Sequence, residues 1–271
     1  MVIKDNLYID IDFAQRRKYQ YRICGDVFMC KKISANNSII CVLSDGLGSG
    51  IKAHVLATMT ATMAIQYSLQ QRDIRKTAEI IMKTLPTDSV RKISYATFTI
   101  IEINADGNCK IVEYDNPRVQ IFRDKGFLDL QRSVIEGNVS RKRKYKILIS
   151  SFELKQNDKL IFFSDGVSQS GMGCPNFPVG WGEKKIRDFI YYLLSSFNHL
   201  SARALCHEIV EHSVANWNYQ AKDDVTCAVI NVRSPKKMLV VTGPPLEKEN
   251  DYILKDTIEQ FDGFKAVCGG T

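Results

Sequence analysis

The feature that most constrains the fold is an acidic, glycine-rich turn placed between a strand pattern and a helix pattern. The turn spans residues 44–50 and reads Ser44-Asp45-Gly46-Leu47-Gly48-Ser49-Gly50. Five apolar residues, 39–43, precede it with the length and composition of a buried strand, and residues 51–70 follow it with apolar positions at helical spacing. Because glycine lets the main chain turn sharply and approach a ligand closely, this turn would present a carboxylate and bare backbone to a charged ligand.

Further aspartates occur at the ends of other strand patterns. Asp165 follows the apolar run 160–163, Asp223 and Asp224 precede the apolar run 225–232, and Asp26 stands just before another strand pattern. Charged side chains at so many strand ends are hard to explain as ordinary solvated surface. The arrangement predicts a metal site.

The first two acids are expected to be close in space. Residues 27–33 and 39–43 have strand patterns, and residues 35–38 between them have the composition of a turn. A hairpin of this kind places Asp26 and Asp45 on neighbouring antiparallel strands, able to face a common point.

The order of the patterns predicts the fold class. Strand patterns cover residues 7–12, 19–24, 27–33, 39–43, 96–103, 109–114, 119–123, 128–130, 150–154, 159–163 and 225–232. Helix patterns cover residues 51–70, 72–85, 183–196 and 201–216, with Ser201 as an N-cap. This order favours an α+β fold, a four-layer α-β-β-α sandwich of two antiparallel sheets with helix pairs outside. On the first helix, the apolar stripe Val55, Met59 and Met63, with Leu56 and Thr60 beside it, is expected to face the core.

The size and composition of the chain exclude several classes. Its 271 residues, 45% of them hydrophobic, can bury one substantial core. No apolar stretch approaches the roughly 20 residues that span a bilayer, and the first residues lack a signal-peptide core, so we expect a cytoplasmic protein without a membrane partner. The eight cysteines form no C-x-x-C pair, which favours buried free thiols. Five of them lie in apolar runs: Cys24, Cys30, Cys41, Cys206 and Cys227.

The net charge of +7 is spread along the chain, apart from a dense basic run at residues 141–146. That run is either a solvated loop or an anion-binding patch, and the lack of interleaved aromatic residues favours the loop and no nucleic-acid partner. The glycine spacing at residues 46–52 fits neither phosphate-binding signature, so a nucleotide-binding module is the weaker interpretation.

The C-terminal residues have a different organisation. Residues 234–237 have the composition of a linker, and strand, helix and strand patterns follow at 238–245, 251–261 and 264–268. We therefore expect a first domain at 1–233 and a short β-α-β unit at 234–271. That unit is either a small appendage or the start of a second α/β domain, which we favour.

The acidic motifs together resemble one known family. The ordered series is Gly25-Asp26, the turn 44–50, Asn116-Pro117, Phe163-Ser164-Asp165-Gly166-Val167 and Asp223-Asp224-Val225-Thr226. It resembles the PPM family of metal-dependent serine/threonine protein phosphatases, in particular the branch named after the sporulation phosphatase SpoIIE, over about residues 10–233. The resemblance implies the α-β-β-α sandwich and hydrolysis of phosphoserine or phosphothreonine in bacterial signalling. It also implies a phosphorylated protein partner, such as an anti-sigma antagonist.

The resemblance further implies roles for the acids. Asp45 would bridge two Mn²⁺ or Mg²⁺ ions, Asp26 and the carbonyl of Gly46 would complete one site, and Asp165 and Asp223 the other. All-oxygen donors suit these ions better than zinc. The reaction would be direct attack by metal-activated water, without a phosphoenzyme.

Four points stay open at this stage. The arginine that holds the substrate phosphate in many relatives has no clear match, and we do not transfer its role to Arg22. His54 could donate a proton. Asp224 is expected to support Asp223, since adjacent strand residues point to opposite faces. A catalytically silent binding module is the alternative function, and the presence of every metal acid argues against it.

Overall fold

Two sheets, each of six strands in the described part of the chain, form the scaffold of the first compact unit, Met1–Arg233. The structure is a computed structural model and describes residues 2–4, 7–70, 73–84, 96–140, 143–197 and 200–269. Strands β1–β14 and helices α1–α6 are numbered in chain order.

Both sheets are antiparallel throughout. In spatial order, the first sheet consists of β1 (Val2–Ile3), β2 (Leu7–Arg16), β12 (Val225–Arg233), β11 (Lys159–Phe163), β7 (Gln120–Arg123) and β8 (Gly126–Leu128). The second sheet consists of β3 (Val27–Ile33), β4 (Ser38–Gly46), β5 (Ala96–Ile103), β6 (Asn108–Tyr114), β10 (Arg143–Glu153) and β9 (Ser133–Ser140).

Helices cover the outer face of each sheet. The second sheet carries α1 (Ile51–Leu69) and α2 (Ile74–Thr84), and the first carries α3 (Asp165–Ser168), α4 (Gly182–Ser196) and α5 (Ala202–Ala215). The predicted N-cap is present, because the Ser201 hydroxyl accepts a hydrogen bond from the Ala204 amide at 3.1 Å. The predicted helix 72–85 corresponds to α2, and positions 72 and 85 lie outside the described residues.

Three apolar clusters hold these layers together. One lies between the sheets and includes Leu43, Phe162 and Ile230; the other two lie between each sheet and its helices. Central strands are therefore buried on both faces, which explains why β4 and β12 are mainly apolar runs. The predicted four-layer α-β-β-α sandwich is confirmed.

The predicted strand at residues 19–24 is wrong. These residues form an irregular loop, and Tyr19, Tyr21 and Ile23 are all exposed. The alternation of apolar and polar residues at 19–24 therefore does not mark a strand with one buried face. Conversely, the analysis missed β9, whose residues are mostly exposed and give little periodic signal.

The predicted core stripe on α1 is only partly correct: Leu56 and Thr60 are buried and Met63 packs against the core. Val55 and Met59 are 49% and 46% exposed, whereas a row of alanines faces the sheet. The alanines of that row are Ala53, Ala57, Ala61 and Ala64. Small residues let the helix axis approach the sheet closely, and Val55 and Met59 remain on the outer side.

Two smaller expectations need correction. Residues 143–146 of the basic run belong to β10, not to a loop, with Tyr145 buried and the flanking lysines exposed; residues 141 and 142 lie outside the described residues. All eight cysteines are free. Cys41, Cys206 and Cys227 are buried as expected, but Cys24 is only half-buried and Cys30 is exposed.

The second compact unit, Ser234–Thr271, is a β-α-β unit. Strands β13 (Met238–Thr242) and β14 (Phe264–Cys268) pair in parallel, and α6 (Asp251–Gln260) connects them after a short 3₁₀ turn. The predicted order of elements is confirmed. Across the part of the chain described in both units, no helix combines the length and apolar character needed to cross a membrane.

Candidate metal centre

The predicted metal acids lie at the ends of paired strands. In the second sheet, Val27 pairs with Ser44, so Asp26 and Asp45 end neighbouring antiparallel strands, as predicted. In the first sheet β11 pairs with β12; Asp165 lies two residues after β11 and Asp223 two residues before β12. Each sheet thus supplies two of the four acids.

Asp26 joins the two sheets. Its side chain is buried, and Oδ2 accepts hydrogen bonds from the hydroxyls of Ser164 and Thr226, each at 2.7 Å. The amide of Gln15 donates to the Asp26 carbonyl and to the Thr226 hydroxyl at 3.0 and 2.9 Å. An acid beside one sheet is therefore held in place by hydroxyls of the other.

The sequence analysis assigned no role to these two hydroxyls. Ser164 and Thr226 also bond to each other's strands, since the Thr226 amide donates to the Ser164 hydroxyl at 3.1 Å. The available signal was their place inside the two motifs, directly before Asp165 and two residues after Asp224.

Asp45 and Asp165 meet across the gap between the sheets. Their carboxyl groups are in hydrogen-bond contact, and Gln169 donates to Asp165 Oδ2 at 2.9 Å. Two carboxyl groups can share a hydrogen bond only when one carries a proton. Burial raises the pKa of Asp45 well above its ordinary value, and the charges of Asp26, Asp165 and Asp223 raise it further.

The other three acids show the same direction of shift. Burial raises the pKa of Asp26 to about 7, although its hydrogen bonds from Thr226 and Ser164 act in the opposite sense. Burial and the neighbouring Asp165 raise the pKa of Asp223 to about 6, and burial also raises the pKa of Asp165. Such crowding favours protons or cations at this edge.

The donor set fits Mg²⁺ or Mn²⁺ by its chemistry, because all of its side-chain ligands are carboxylate oxygens. Gly46 is needed here for packing, since a Cβ at this position would lie 2.0 Å from the Ala53 carbonyl oxygen. No three His, Cys, Asp or Glu side chains within the described ranges are already arranged to hold one ion. Binding of an ion by these residues would therefore require their side chains to change position.

Asp224 has a different position. It is 4% exposed, and its two oxygens accept hydrogen bonds from the backbone amides of Lys18 and Gly25, both at 2.9 Å. A Cβ on Gly166 would lie 1.9 Å from the Asp224 carbonyl oxygen, so the motif glycine is needed for this packing. Asp224 therefore fastens the loop that leads to Asp26.

That loop carries a basic residue that the sequence analysis missed. The Lys18 ammonium donates to the Ser49 hydroxyl at 3.2 Å, and its charge opposes the upward shift in the pKa of Asp223. The loop lines a cavity of about 700 Å³ with Arg17, Lys18 and Arg22. No strand-end motif flanks Lys18, so no local pattern predicted its place near the acids.

His54 and Asn116 take supporting positions. The His54 Nδ1 lies 2.9 Å from the Cys24 carbonyl oxygen, which can only accept, so this nitrogen carries the proton. Asn116 accepts a hydrogen bond from Thr97, the cross-strand partner of Asp45. The motif asparagine thus supports the strand beside Asp45.

The sequence of this chain also matches that of a known protein family. The sequence profile of the family described as Stage II sporulation protein E (SpoIIE) matches residues 35–233, more than half of the chain. The chain belongs to the SpoIIE family. No curated protein sequence matches it.

Solved structures agree with the SpoIIE-family assignment. The SpoIIE phosphatase domain of Bacillus subtilis superposes with a TM-score of 0.61 at 18% identity, over 86% of this chain and 95% of that one. The RsbU and RsbW domains of Rv1364c from Mycobacterium tuberculosis give 0.66 at 17% identity, over 84% and 61%. RsbX in complex with magnesium gives 0.54 at 21% identity, over 86% and 98%. The predictions of a PPM-type fold and a protein serine/threonine phosphatase family are confirmed.

The raised pKa values predict how stability of this SpoIIE-family chain depends on pH without metal. Folded Asp223 and Asp26 hold protons up to about 6 and about 7, whereas both release them near 3.8 when unfolded. The folded state therefore binds more protons in this window, and the free energy of unfolding falls as pH rises through it.

Urea unfolding in EDTA at pH 5 and pH 8 measures this effect, with saturating Mg²⁺ as the matched condition. We expect lower stability at pH 8 in EDTA and a larger gain from Mg²⁺ at pH 8 than at pH 5. Equal stability at both pH values in EDTA would show that the acids are not crowded in the folded protein.

Proposed function

We propose that this chain is a metal-dependent phosphatase that hydrolyses phosphoserine and phosphothreonine in a protein substrate. Two Mn²⁺ or Mg²⁺ ions would be held by Asp26, Asp45, Asp165, Asp223 and the carbonyl of Gly46. The observation that carries the proposal is the meeting of carboxyl groups from both sheets at one edge, each with a raised pKa. Such a set is stable as four anions only when cations are present.

Each acid has a place that suits its role. Asp45 lies in contact with Asp165 and feels the charges of Asp26 and Asp223, which is the position a bridging ligand requires. The hydrogen bonds from Ser164 and Thr226 both go to Asp26 Oδ2, so Oδ1 is the oxygen available for an ion. Gln169 orients Asp165 in the same way.

When bound, the ions would activate a water molecule and polarise the phosphoryl oxygens. We propose direct attack by this water, without a phosphoenzyme. The nearby side chains support this choice. Burial and the charges of Asp26 and Asp224 raise the pKa of the Cys24 thiol, which makes it a poor nucleophile.

The basic loop supplies a position for the substrate. Lys18 lies within hydrogen-bond distance of Ser49 on the acidic turn and lines the 700 Å³ cavity together with Arg17 and Arg22. A phosphorylated segment carries the complementary negative charge. Lys18 would thus lie beside the phosphate, and the arginines would contact the flanking peptide.

The class of substrate is proposed from the relatives. RsbU and RsbX are among the structural matches, and a stressosome structure is another. We propose a phosphorylated signalling protein of the anti-sigma-antagonist type as substrate and the cytoplasm as the compartment, in line with the eight free thiols. A catalytically silent module is the alternative, and the complete set of acids favours the enzyme.

Hydrolysis of p-nitrophenyl phosphate and of a phosphoserine peptide tests the proposal. We expect both reactions to require Mn²⁺ or Mg²⁺ and to stop in EDTA. The variant Asp106→Asn, in the turn between β5 and β6, is the surface control and should retain full activity. Metal binding by calorimetry without any turnover of either compound would instead identify a silent binding module.

A further inference from the structure

A pair of thiols on the β3–β4 hairpin lies apart from the acids. Cys30 and Cys41 are directly opposed in the antiparallel register, and their sulfur atoms are 3.3 Å apart. We propose that these two residues form a redox-sensitive pair that closes to a reversible cross-strand disulfide. This inference does not depend on the proposed phosphatase activity.

The position of the pair allows a disulfide without a change of strand register. Opposed residues of an antiparallel pair have Cα atoms about 4.5–5.5 Å apart, inside the range of about 4.4–6.8 Å found for disulfides. Both side chains point to the same face of the sheet, because cross-strand partners do so. Rotation of the two side chains is therefore enough to bring the sulfur atoms to bonding distance.

The two thiols differ in the way that a reactive and a resolving cysteine differ. Cys30 is exposed on the edge strand β3, whereas Cys41 is completely buried in the cluster between the sheets. Cys41 donates its S–H to Cys30, and this hydrogen bond lowers the pKa of Cys30 and raises that of Cys41. An oxidant from solvent therefore meets the more acidic thiol first.

The chemistry balances with a low-molecular-weight disulfide as oxidant. The Cys30 thiolate attacks one sulfur of that compound, forms a mixed disulfide and releases one small thiol. The Cys41 thiol then loses its proton, attacks the Cys30 sulfur and releases the second small thiol. Two protein thiols are oxidised, and the small disulfide is reduced to two thiols.

The bond would lock a hairpin that carries two site acids. Asp26 directly precedes β3, and Asp45 follows Cys41 by four residues on β4. Both strands are fixed to each other at the middle of their pairing once the bond forms. Reduction of the bond by dithiothreitol would restore the original hairpin.

The test uses the full chain treated with oxidised glutathione, followed by alkylation, digestion and mass spectrometry. We expect complete loss of free thiol at Cys30 and Cys41 and a linked peptide that dithiothreitol separates. Cys268 is the matched control, because it is exposed in the second unit and should give only a glutathione adduct.

Two variants separate the proposal from ordinary surface oxidation. Cys30→Ser, at an exposed position, should leave Cys41 unmodified, and Cys41→Ala should leave a persistent glutathione adduct on Cys30. If wild-type Cys30 carries a persistent adduct while Cys41 stays reduced, the pair is not a redox site. The same conclusion follows if neither thiol reacts under conditions that modify Cys268.

Discussion

Replacement of Asp45 by asparagine is expected to lower turnover about 1000-fold and, at the same time, to stabilise the metal-free protein. The loss of turnover follows because the proposed bridging charge disappears, and a loss of about 4 kcal/mol in transition-state stabilisation corresponds to that factor. The gain in stability follows because a neutral amide needs no proton at pH 8, whereas folded Asp45 must either hold one or bring its charge close to Asp26, Asp165 and Asp223. These opposite signs separate a metal-site defect from misfolding.

Steady-state turnover with saturating Mn²⁺ and urea unfolding in EDTA at pH 8 measure the two effects. Asp106→Asn removes a surface carboxyl in the same way and should change neither quantity. If turnover of Asp45→Asn stays within about tenfold of the wild-type value, the assignment of Asp45 as the bridging ligand is contradicted. Lower stability in EDTA would show that Asp45 is held by favourable contacts rather than crowded.

Replacement of the adjacent acids Asp223 and Asp224 by alanine should have different effects on turnover and stability. Asp223→Ala should mainly lower turnover, and Asp224→Ala should mainly lower stability. Asp223→Ala removes a proposed ligand that carries a raised pKa, so turnover should fall more than about 1000-fold with no loss of stability in EDTA. Asp224→Ala leaves the backbone amides of Lys18 and Gly25 without their acceptors. We expect a stability loss of about 2–6 kcal/mol, from about 1–3 kcal/mol for each of the two unsatisfied donors.

Activity of Asp224→Ala should fall roughly 10–100-fold, as for groups that orient a metal ligand. Because the two residues are neighbours, each variant serves as the control for the other in paired turnover and unfolding measurements. A larger loss of turnover in Asp224→Ala than in Asp223→Ala would reverse the assignment of ligand and support.

Much of this fold can be predicted because its central strands are buried on both faces. β4 and β12 appear in the sequence as mainly apolar runs, and each has an acid at or beside one end. The acids can be recognised for a related reason. A charged side chain next to a buried apolar strand is costly unless it has a partner or a ligand, so it indicates a functional site. The placement of Asp26 and Asp45 at the ends of neighbouring strands could be predicted from one hairpin, because a hairpin is a local feature of the sequence.

The parts that could not be predicted depend on contacts distant in sequence. Ser164 and Thr226 hold Asp26 from positions 138 and 200 residues away, and no local pattern encodes that contact. The inner face of α1 was only partly predicted: Leu56 is buried as expected, but alanines take the places expected for Val55 and Met59. Large apolar side chains did not identify the face of α1 that lies against the sheet, because the helix approaches the sheet closely enough to require small residues there.

The close packing around Ala53 gives α1 a mechanical connection to both halves of the hairpin. A Cβ on Gly46 would collide with the Ala53 carbonyl, and a Cβ on Gly25 would lie 3.0 Å from the Ala53 Cβ. Ala53 therefore touches the backbone directly after Asp45 and directly before Asp26, with no slack on either side. The opposite side of the helix offers Ile51, Val55 and Met59 to solvent. A displacement of α1 at Ala53 would therefore have to move the backbone beside both acids.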